Sequence, residues 1–331
     1  MRLFIRTEAS SALGLGHFMR CFALAEEARA RGIEVTFILN EIGPAVAARL
    51  QSIGAIGITV SGVLGSVADF MAFATLDMGR QDWLVIDSYQ ATEEYIRSQS
   101  RAARVLVVDD LCALAAYDCD MIVNPAMAAS EMLYDRKSTA KVLLGADYAL
   151  IRAEFRTAGI AVRSGSRLSI MFGGSDPTGL TGRCAEILHE AVPVSQIRLI
   201  VGPANVYTDG LMTLAQKLER LEVCVSPESV AQALSGSDLV ITAAGGTVGE
   251  VASMGLPALV LVVYDNQAAA LRGCPYPVID SRGGLPADLG GRIRALMADP
   301  AERQRLAETA HRSVDGKGSQ RILEAMKNAH V

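Results

Sequence analysis

The strongest candidate for chemistry is His17, because of the residues around it. Gly14-Leu15-Gly16-His17 follows a short β-branched run at residues 3–6 and opens a helical pattern at 17–31. Glycines at a strand-to-helix turn permit positive φ and let backbone approach a ligand. The free N–H groups and positive dipole of a first helical turn disfavour an imidazolium. A neutral ring is then able to take a proton, as a general base must. A capping or packing histidine is the plainer alternative, and the adjoining glycine loop favours chemistry over it.

Two other glycine turns have the composition of phosphate cradles. Phe172-Gly173-Gly174-Ser175-Asp176-Pro177 follows a strand pattern at 168–172, and Ala243-Ala244-Gly245-Gly246-Thr247-Val248-Gly249-Glu250 follows one at 239–242. In the first, Ser175 or Asp176 is placed to cap the next helix while the glycines leave N–H donors exposed. The second suits a diphosphate, and Glu250, one turn in, is placed to accept from ribose hydroxyls. Tight ligand-free turns look similar; the presence of two such loops in one half of the chain favours a nucleotide.

Other sites are argued against by spacing. A dinucleotide fingerprint needs a third glycine where Met19 stands, and Glu34 falls at the wrong end of its strand to reach a ribose. Gly316-Lys317 has His311 where a phosphate-binding P-loop needs its first glycine. Asp109-Asp110 and Asp118-Cys119-Asp120 have no convergent third ligand and read as a strand end and a strand start. Neither a metal nor another cofactor is expected.

These turns need strands and helices to hold them. Buried strands are expected at 3–6, 35–39, 84–87, 105–109 and 121–123, then again at 168–172, 197–201, 222–225, 239–242 and 258–262. Helices are expected at 17–31, closed by Gly32, and at 178–190, 209–218, 229–234 and 247–254, with one or two amphipathic helices after Asp299. Strand–helix alternation of this kind implies an α/β protein with parallel sheets and right-handed crossovers. The polar stretch 157–166 divides the two series. The expected architecture is two doubly wound Rossmann-like domains, 1–157 and 166–331, facing a cleft, with the C-terminal helices returning to the first.

The chain has 331 residues, enough for two domains, and half of them are hydrophobic, enough for two cores. Its 31 Lys and Arg against 36 Asp and Glu give a net charge of −5 with no basic stripe, which argues against a nucleic-acid partner. The charge-free run 50–68 is broken by four glycines and reads as buried strands joined by turns, not a membrane span. The start has no apolar leader, and the six cysteines are scattered without a C-x-x-C pair, so a reduced cytoplasmic setting is expected.

Taken together, the motifs resemble the UDP-sugar hydrolases of pseudaminic-acid biosynthesis and their spore-coat polysaccharide relatives (the PseG/SpsG-like group). That group is similar in turn to GT-B glycosyltransferases. The resemblance begins at Arg6 and the Leu13-Gly14-Leu15-Gly16-His17-Phe18-Met19-Arg20-Cys21 segment. It continues through Asp87-Ser88-Tyr89, Val108-Asp109-Asp110-Leu111, Cys119-Asp120-Met121-Ile122-Val123-Asn124-Pro125 and the run from Gly145 to Phe155. In the second half it takes in Gly173-Gly174-Ser175-Asp176, the 245–250 loop, Asn266-Gln267 and Val314-Asp315-Gly316. Two departures stand out: Glu8 replaces an aspartate of the group, and the segment after Gln267 is short.

The resemblance implies a GT-B fold and a metal-independent, inverting hydrolase that splits a UDP-linked amino sugar, of the UDP-2,4-diacetamido-2,4,6-trideoxy-altropyranose kind, into UDP and free sugar. It implies His17 as base with Tyr89 as its partner, and Arg6, Gly14, Gly16, Asp87, Asn124, Arg152, Asn266 and Gln267 on the sugar side. Gly173, Gly174, Ser175, Gly245, Gly246, Thr247 and Glu250 would hold the nucleotide. Pseudaminic-acid or surface-polysaccharide synthesis would be the setting, with other enzymes of that sugar pathway as partners. Two alternatives stay open: a GT-B glycosyltransferase using a UDP-sugar donor, and an inactive nucleotide-sugar-binding homologue.

Overall fold

Alternating β-branched runs and amphipathic segments fold into two parallel sheets in the computed structural model, which describes residues 1–9, 15–127, 129, 134–156, 166–268 and 270–329. The chain divides into a unit of Met1–Ala153 with Lys317–Val331 and a unit of Glu154–Gly316. Except for Ser166, the expected join at 157–166 lies outside the described residues, as does Gly14.

The first unit runs β1 (Leu3–Thr7), α1 (Gly16–Ala30), β2 (Val35–Leu39), α2 (Pro44–Ser52), β3 (Ile56–Thr59), α3 (Val67–Ala74), β4 (Trp83–Asp87), α4 (Glu93–Gln99), β5 (Arg104–Val108), β6 (Met121–Asn124) and β7 (Lys141–Leu144). Its strand order is β3-β2-β1-β4-β5-β6-β7, and every pairing is parallel. Period-two alternation sends Leu3 and Ile5 to one face and Phe4 to the other. On the first face α1 buries Phe18, Cys21, Phe22 and Ala25, a helical stripe, while Phe73 of α3 and Tyr95 and Ile96 of α4 cover the second. Each fully buried Leu, Ile or Phe contributes about 1.5–3 kcal/mol over an exposed one.

The second unit runs β8 (Arg167–Met171), α5 (Leu180–Ala191), β9 (Gln196–Val201), α6 (Thr208–Lys217), β10 (Leu221–Val225), α7 (Val230–Leu234), β11 (Leu239–Ala243), α8 (Thr247–Ser253), β12 (Ala258–Val262), α9 (Ala270–Gly273), β13 (Val278–Asp280), α10 (Leu289–Ala298) and α11 (Pro300–Ser313). Its order, β10-β9-β8-β11-β12-β13, repeats the doubly wound pattern. The last helix, α12 (Gly318–Asn328), belongs to the first unit, where Ile322, Leu323 and Met326 join the α1 side of the core. Gly318 is required there, since a Cβ would overlap the Ala149 carbonyl oxygen.

Two edge strands, β7 and β13, were not expected from the pattern, and β3 was expected only within the run 50–68 read as buried strands. Their signal is weak for a physical reason: β3 is an edge strand with Ile56 61% exposed, and β13 has only three residues. The charge-free run 50–68 is likewise corrected: it holds the end of α2, the exposed strand β3 and the start of α3, not buried strands. Among the described residues, no helix is long and apolar enough to cross a membrane.

Candidate active site

In a doubly wound sheet the crevice lies outside the strand carboxyl ends where the strand order reverses. In the first unit that point lies between β1 and β4. The register pairs Thr7 with Asp87, and Thr7 Oγ1 donates to the Asp87 carbonyl at 3.0 Å, tying the two strand ends together. His17 is the second residue of α1, the helix that follows β1, and Asp87 is the last residue of β4.

The two side chains meet. His17 Nδ1 lies 2.6 Å from Asp87 Oδ1, with Asp87 fully buried and His17 18% exposed. Arg20 Nη2 also approaches Nδ1, at 3.2 Å, but it has only protons to offer. The shorter contact to a carboxylate therefore places hydrogen on Nδ1 and leaves the Nε2 lone pair as the acceptor. Arg20, one turn along α1, donates through Nε and Nη2 to Asp87 at 2.6 Å each, and through Nη1 to both oxygens of Asp110 at 2.8 Å. Tyr89 closes the loop. Its hydroxyl donates to Asp110 Oδ2 at 2.9 Å and its ring meets the His17 ring edge-on, centroids 4.6 Å apart. Five side chains thus form a ring: His17, Asp87, Arg20, Asp110 and Tyr89.

Burial pushes the Asp87 carboxyl upward, but the charge and hydrogen bonds of Arg20, with those of His17, outweigh it and hold it well below the usual carboxylate range. Burial opposes the Arg20 charge too, and Asp87 and Asp110 overcome it, so the guanidinium is held well above its ordinary value. Cys21 Sγ touches Asp87 Oδ2 at 3.3 Å; burial, then Asp87, pushes its thiol far up and makes it a neutral neighbour.

The other sugar-side candidates are not in this ring. Arg6 is fully buried, its Nε on Asp69 at 2.7 Å, and its Nη2 has no hydrogen-bond partner among the described residues. Asn124 is buried at the end of β6, where it donates to the Tyr134 hydroxyl and accepts from Ala126 N. Arg152 is 6% exposed. Gly16 opens α1. Asp109 and Asp110, read together as a strand end, have separate tasks. Asp109 accepts from Leu111 N, Cys112 N, Tyr117 and Tyr134 and shapes the turn, while Asp110 reaches Arg20.

In the second unit, strand order reverses between β8 and β11, and both glycine loops leave the carboxyl ends of these strands. Gly173 has φ +80°, and a Cβ at Gly173, Gly174, Gly245 or Gly246 would meet open space. Of the two capping candidates it is Asp176 that reaches the helix start, accepting from Leu180 N at 3.0 Å and Thr181 N at 2.8 Å, although the N-cap position of α5 is Gly179. Ser175 is left half-buried beside the glycines. Gly245 N–H is used within its own turn, on Ala243 O at 2.8 Å. Thr247 and Glu250 lie in the first turn of α8, both half-buried. Asn266 is exposed after β12, whereas Gln267 turns back to accept from Val263 N at 3.0 Å.

Three residues of these sites were given no site role from sequence, although Arg20 and Asp110 stand in motifs of the resemblance and Asp110 was weighed with Asp109 as a metal ligand. Arg20 carries a signal, standing three positions after His17 and so on the same helix face. Asp110 carries none apart from its position after a strand. Gly202, after β9, supports the Gly173–Gly174 loop: Ala204 N donates to Gly174 O at 3.1 Å, and a Cβ at Gly202 would overlap Gly174 backbone.

No protein-family model matches the chain. It is 24% identical over 348 aligned positions to the uncharacterized protein MJ1062 of Methanocaldococcus jannaschii, covering 100% of this chain and 67% of the relative. Among solved structures, MurG of Acinetobacter baumannii matches with TM-score 0.63 and 15% identity, over 99% of this chain and 100% of that one. The kitacinnamycin glycosyltransferase matches with TM-score 0.64 and 16% identity, over 99% and 98%. HepE of Anabaena, solved with UDP-glucose, matches with TM-score 0.63 and 12% identity, over 99% and 100%. The two parallel-sheet units are those of the GT-B fold.

Proposed function

We propose that the chain is a metal-independent, inverting hydrolase of a UDP-linked amino sugar. The observation that carries this reading is the His17–Asp87 pair at the switch point of the first sheet, with Nδ1 committed to a buried carboxylate and Nε2 left to accept. Support also comes from the fold's solved relatives, one of them bound to UDP-glucose, and from the motif resemblance.

In this reading a water molecule donates to His17 Nε2. Its oxygen bonds to the anomeric carbon on the face opposite the UDP oxygen, its proton passes to Nε2, and the breaking C–O bond leaves its electron pair on UDP. One displacement inverts the centre. Diphosphate is a good leaving group, so a strong general acid is less necessary than in ordinary glycoside hydrolysis. The 173–175 loop and the 246–247 turn take the diphosphate through backbone N–H groups, the Gly245 N–H being used on Ala243 O; Glu250 takes the ribose, and Asn266 meets the sugar or phosphate. Gln267 contributes through its amide nitrogen, its oxygen being used on Val263. The substrate we favour is the UDP-2,4-diacetamido-2,4,6-trideoxy hexose class, feeding nonulosonic acid or surface polysaccharide. We place the reaction in the cytoplasm, a reading that rests on the scattered cysteines of the sequence.

A second reading is favoured by a different observation: solved relatives of this fold include a glycosyltransferase. In it an acceptor hydroxyl replaces water at Nε2 and the rest of the step is unchanged. Incubation with the UDP-sugar and no acceptor separates them, since only hydrolysis releases free sugar in amounts equal to UDP.

A further inference from the structure

The His17–Asp87 pair is not electrostatically complete by itself, and this gives Asp110 a role. Arg20 binds both oxygens of Asp87 through two hydrogen bonds of 2.6 Å. Had that been its only partner, the guanidinium would cancel the charge of Asp87 and with it most of the pull on an imidazolium. Arg20 instead spans a second carboxylate, Asp110, through Nη1. The cluster therefore carries one net negative charge while His17 is neutral and none once His17 is protonated. Asp87 is fully buried and the side chains of Arg20 and Asp110 are each 19% exposed, so solvent screens these charges only in part.

We propose that Asp110, acting through Arg20, supplies the negative charge that lets His17 hold a proton in this site, and that both are positioning residues for the base. This rests on His17 being the base of the proposed reaction. Among the described residues, the charged or titratable groups that contact His17 are Arg20 from its own helix, Asp87 from β4, and Tyr89 from the loop after β4; Cys21 touches Asp87. Asp110 acts at one remove. It also holds the Tyr89 hydroxyl, which keeps the tyrosine ring against the imidazole. Charge and orientation thus reach His17 from the same carboxylate.

The test is a titration of the His17 imidazole by nitrogen-15 histidine NMR on the full chain, with the signal assigned by its loss in His17→Ala. Asp110→Asn, close to isosteric, moves the His17 midpoint to lower pH by about one unit. Arg20→Gln moves it the opposite way, because two carboxylates are left uncompensated. Midpoints equal to wild type in Asp110→Asn overturn the proposal. Circular dichroism checks the fold, and Asp110→Asn decides the matter alone if Arg20→Gln does not fold. No substrate is needed, so this outcome is independent of whether the hydrolase reading fails. With a turned-over UDP-sugar, Asp110→Asn lowers kcat about tenfold at unchanged KM, and the acid limb of its pH profile moves down with the NMR midpoint. Arg20→Lys recovers part of the kcat lost in Arg20→Gln. A rise in KM alone contradicts the proposal.

Discussion

His17 Nδ1 sits 2.6 Å from Asp87 Oδ1, across seventy positions of chain. The two meet because β1 and β4 are neighbours although β2 and β3 intervene in sequence. Strand reversal thus creates the pair, and its chemistry follows from which nitrogen of the ring the carboxylate occupies.

Removing either member exposes that dependence. His17→Ala lowers kcat by about 10²–10⁴, the range of a general base. Asp87→Asn leaves the ring in place but frees Nδ1 to lose its proton, so kcat falls by at least about tenfold with KM little changed. Steady-state kinetics on the accepted UDP-sugar check both; near-normal kcat in His17→Ala removes the base.

Acid stability follows from Asp87. Its carboxyl titrates lower in the folded chain than in the unfolded one, so the folded state binds fewer protons and acid favours unfolding. The stabilisation is present above about pH 4–5 and is lost as pH falls below the ordinary carboxylate value of about 3.9. Urea midpoints measured from pH 6 to pH 3 decline less steeply in Asp87→Asn than in wild type. Parallel curves count against the pairing.

The Gly173–Gly174 loop leans on Gly202, where a Cβ would overlap Gly174. Gly202→Ala displaces that loop, and UDP affinity by calorimetry falls about tenfold or more while the circular dichroism spectrum stays native. Unchanged affinity places the nucleotide elsewhere.

Gly318 is a packing requirement with no role in chemistry. Its helix α12 approaches the Tyr148–Ala149 backbone, and Gly318→Ala costs about 1–3 kcal/mol of stability through overpacking. Chemical denaturation measures it, and a loss near zero shows that the helix shifts freely.

Much of this was legible in the residues. Strand–helix alternation announced two parallel sheets, and His17 announced itself by its glycine loop. What was hidden depended on tertiary geometry. Asp110 reads locally only as half of a strand-end Asp pair, because its partner Arg20 is ninety positions away. Arg6, placed on the sugar side by the resemblance alone, is fully buried with its Nε on Asp69 of α3, a partner sixty-three positions away. The strand β3 was misread as buried: as an edge strand it has no buried residue, although its composition is apolar.

The central claim is hydrolysis at His17, and a product assay addresses it directly. Wild type and His17→Ala are incubated without acceptor with UDP-2,4-diacetamido-2,4,6-trideoxy hexose and a small panel of other UDP-sugars. The account predicts free sugar and UDP in equal amounts from wild type, with inverted anomeric configuration by proton NMR at early times, and almost none from the variant. Intact substrate throughout the panel in the presence of wild type, or equal release by His17→Ala, contradicts it.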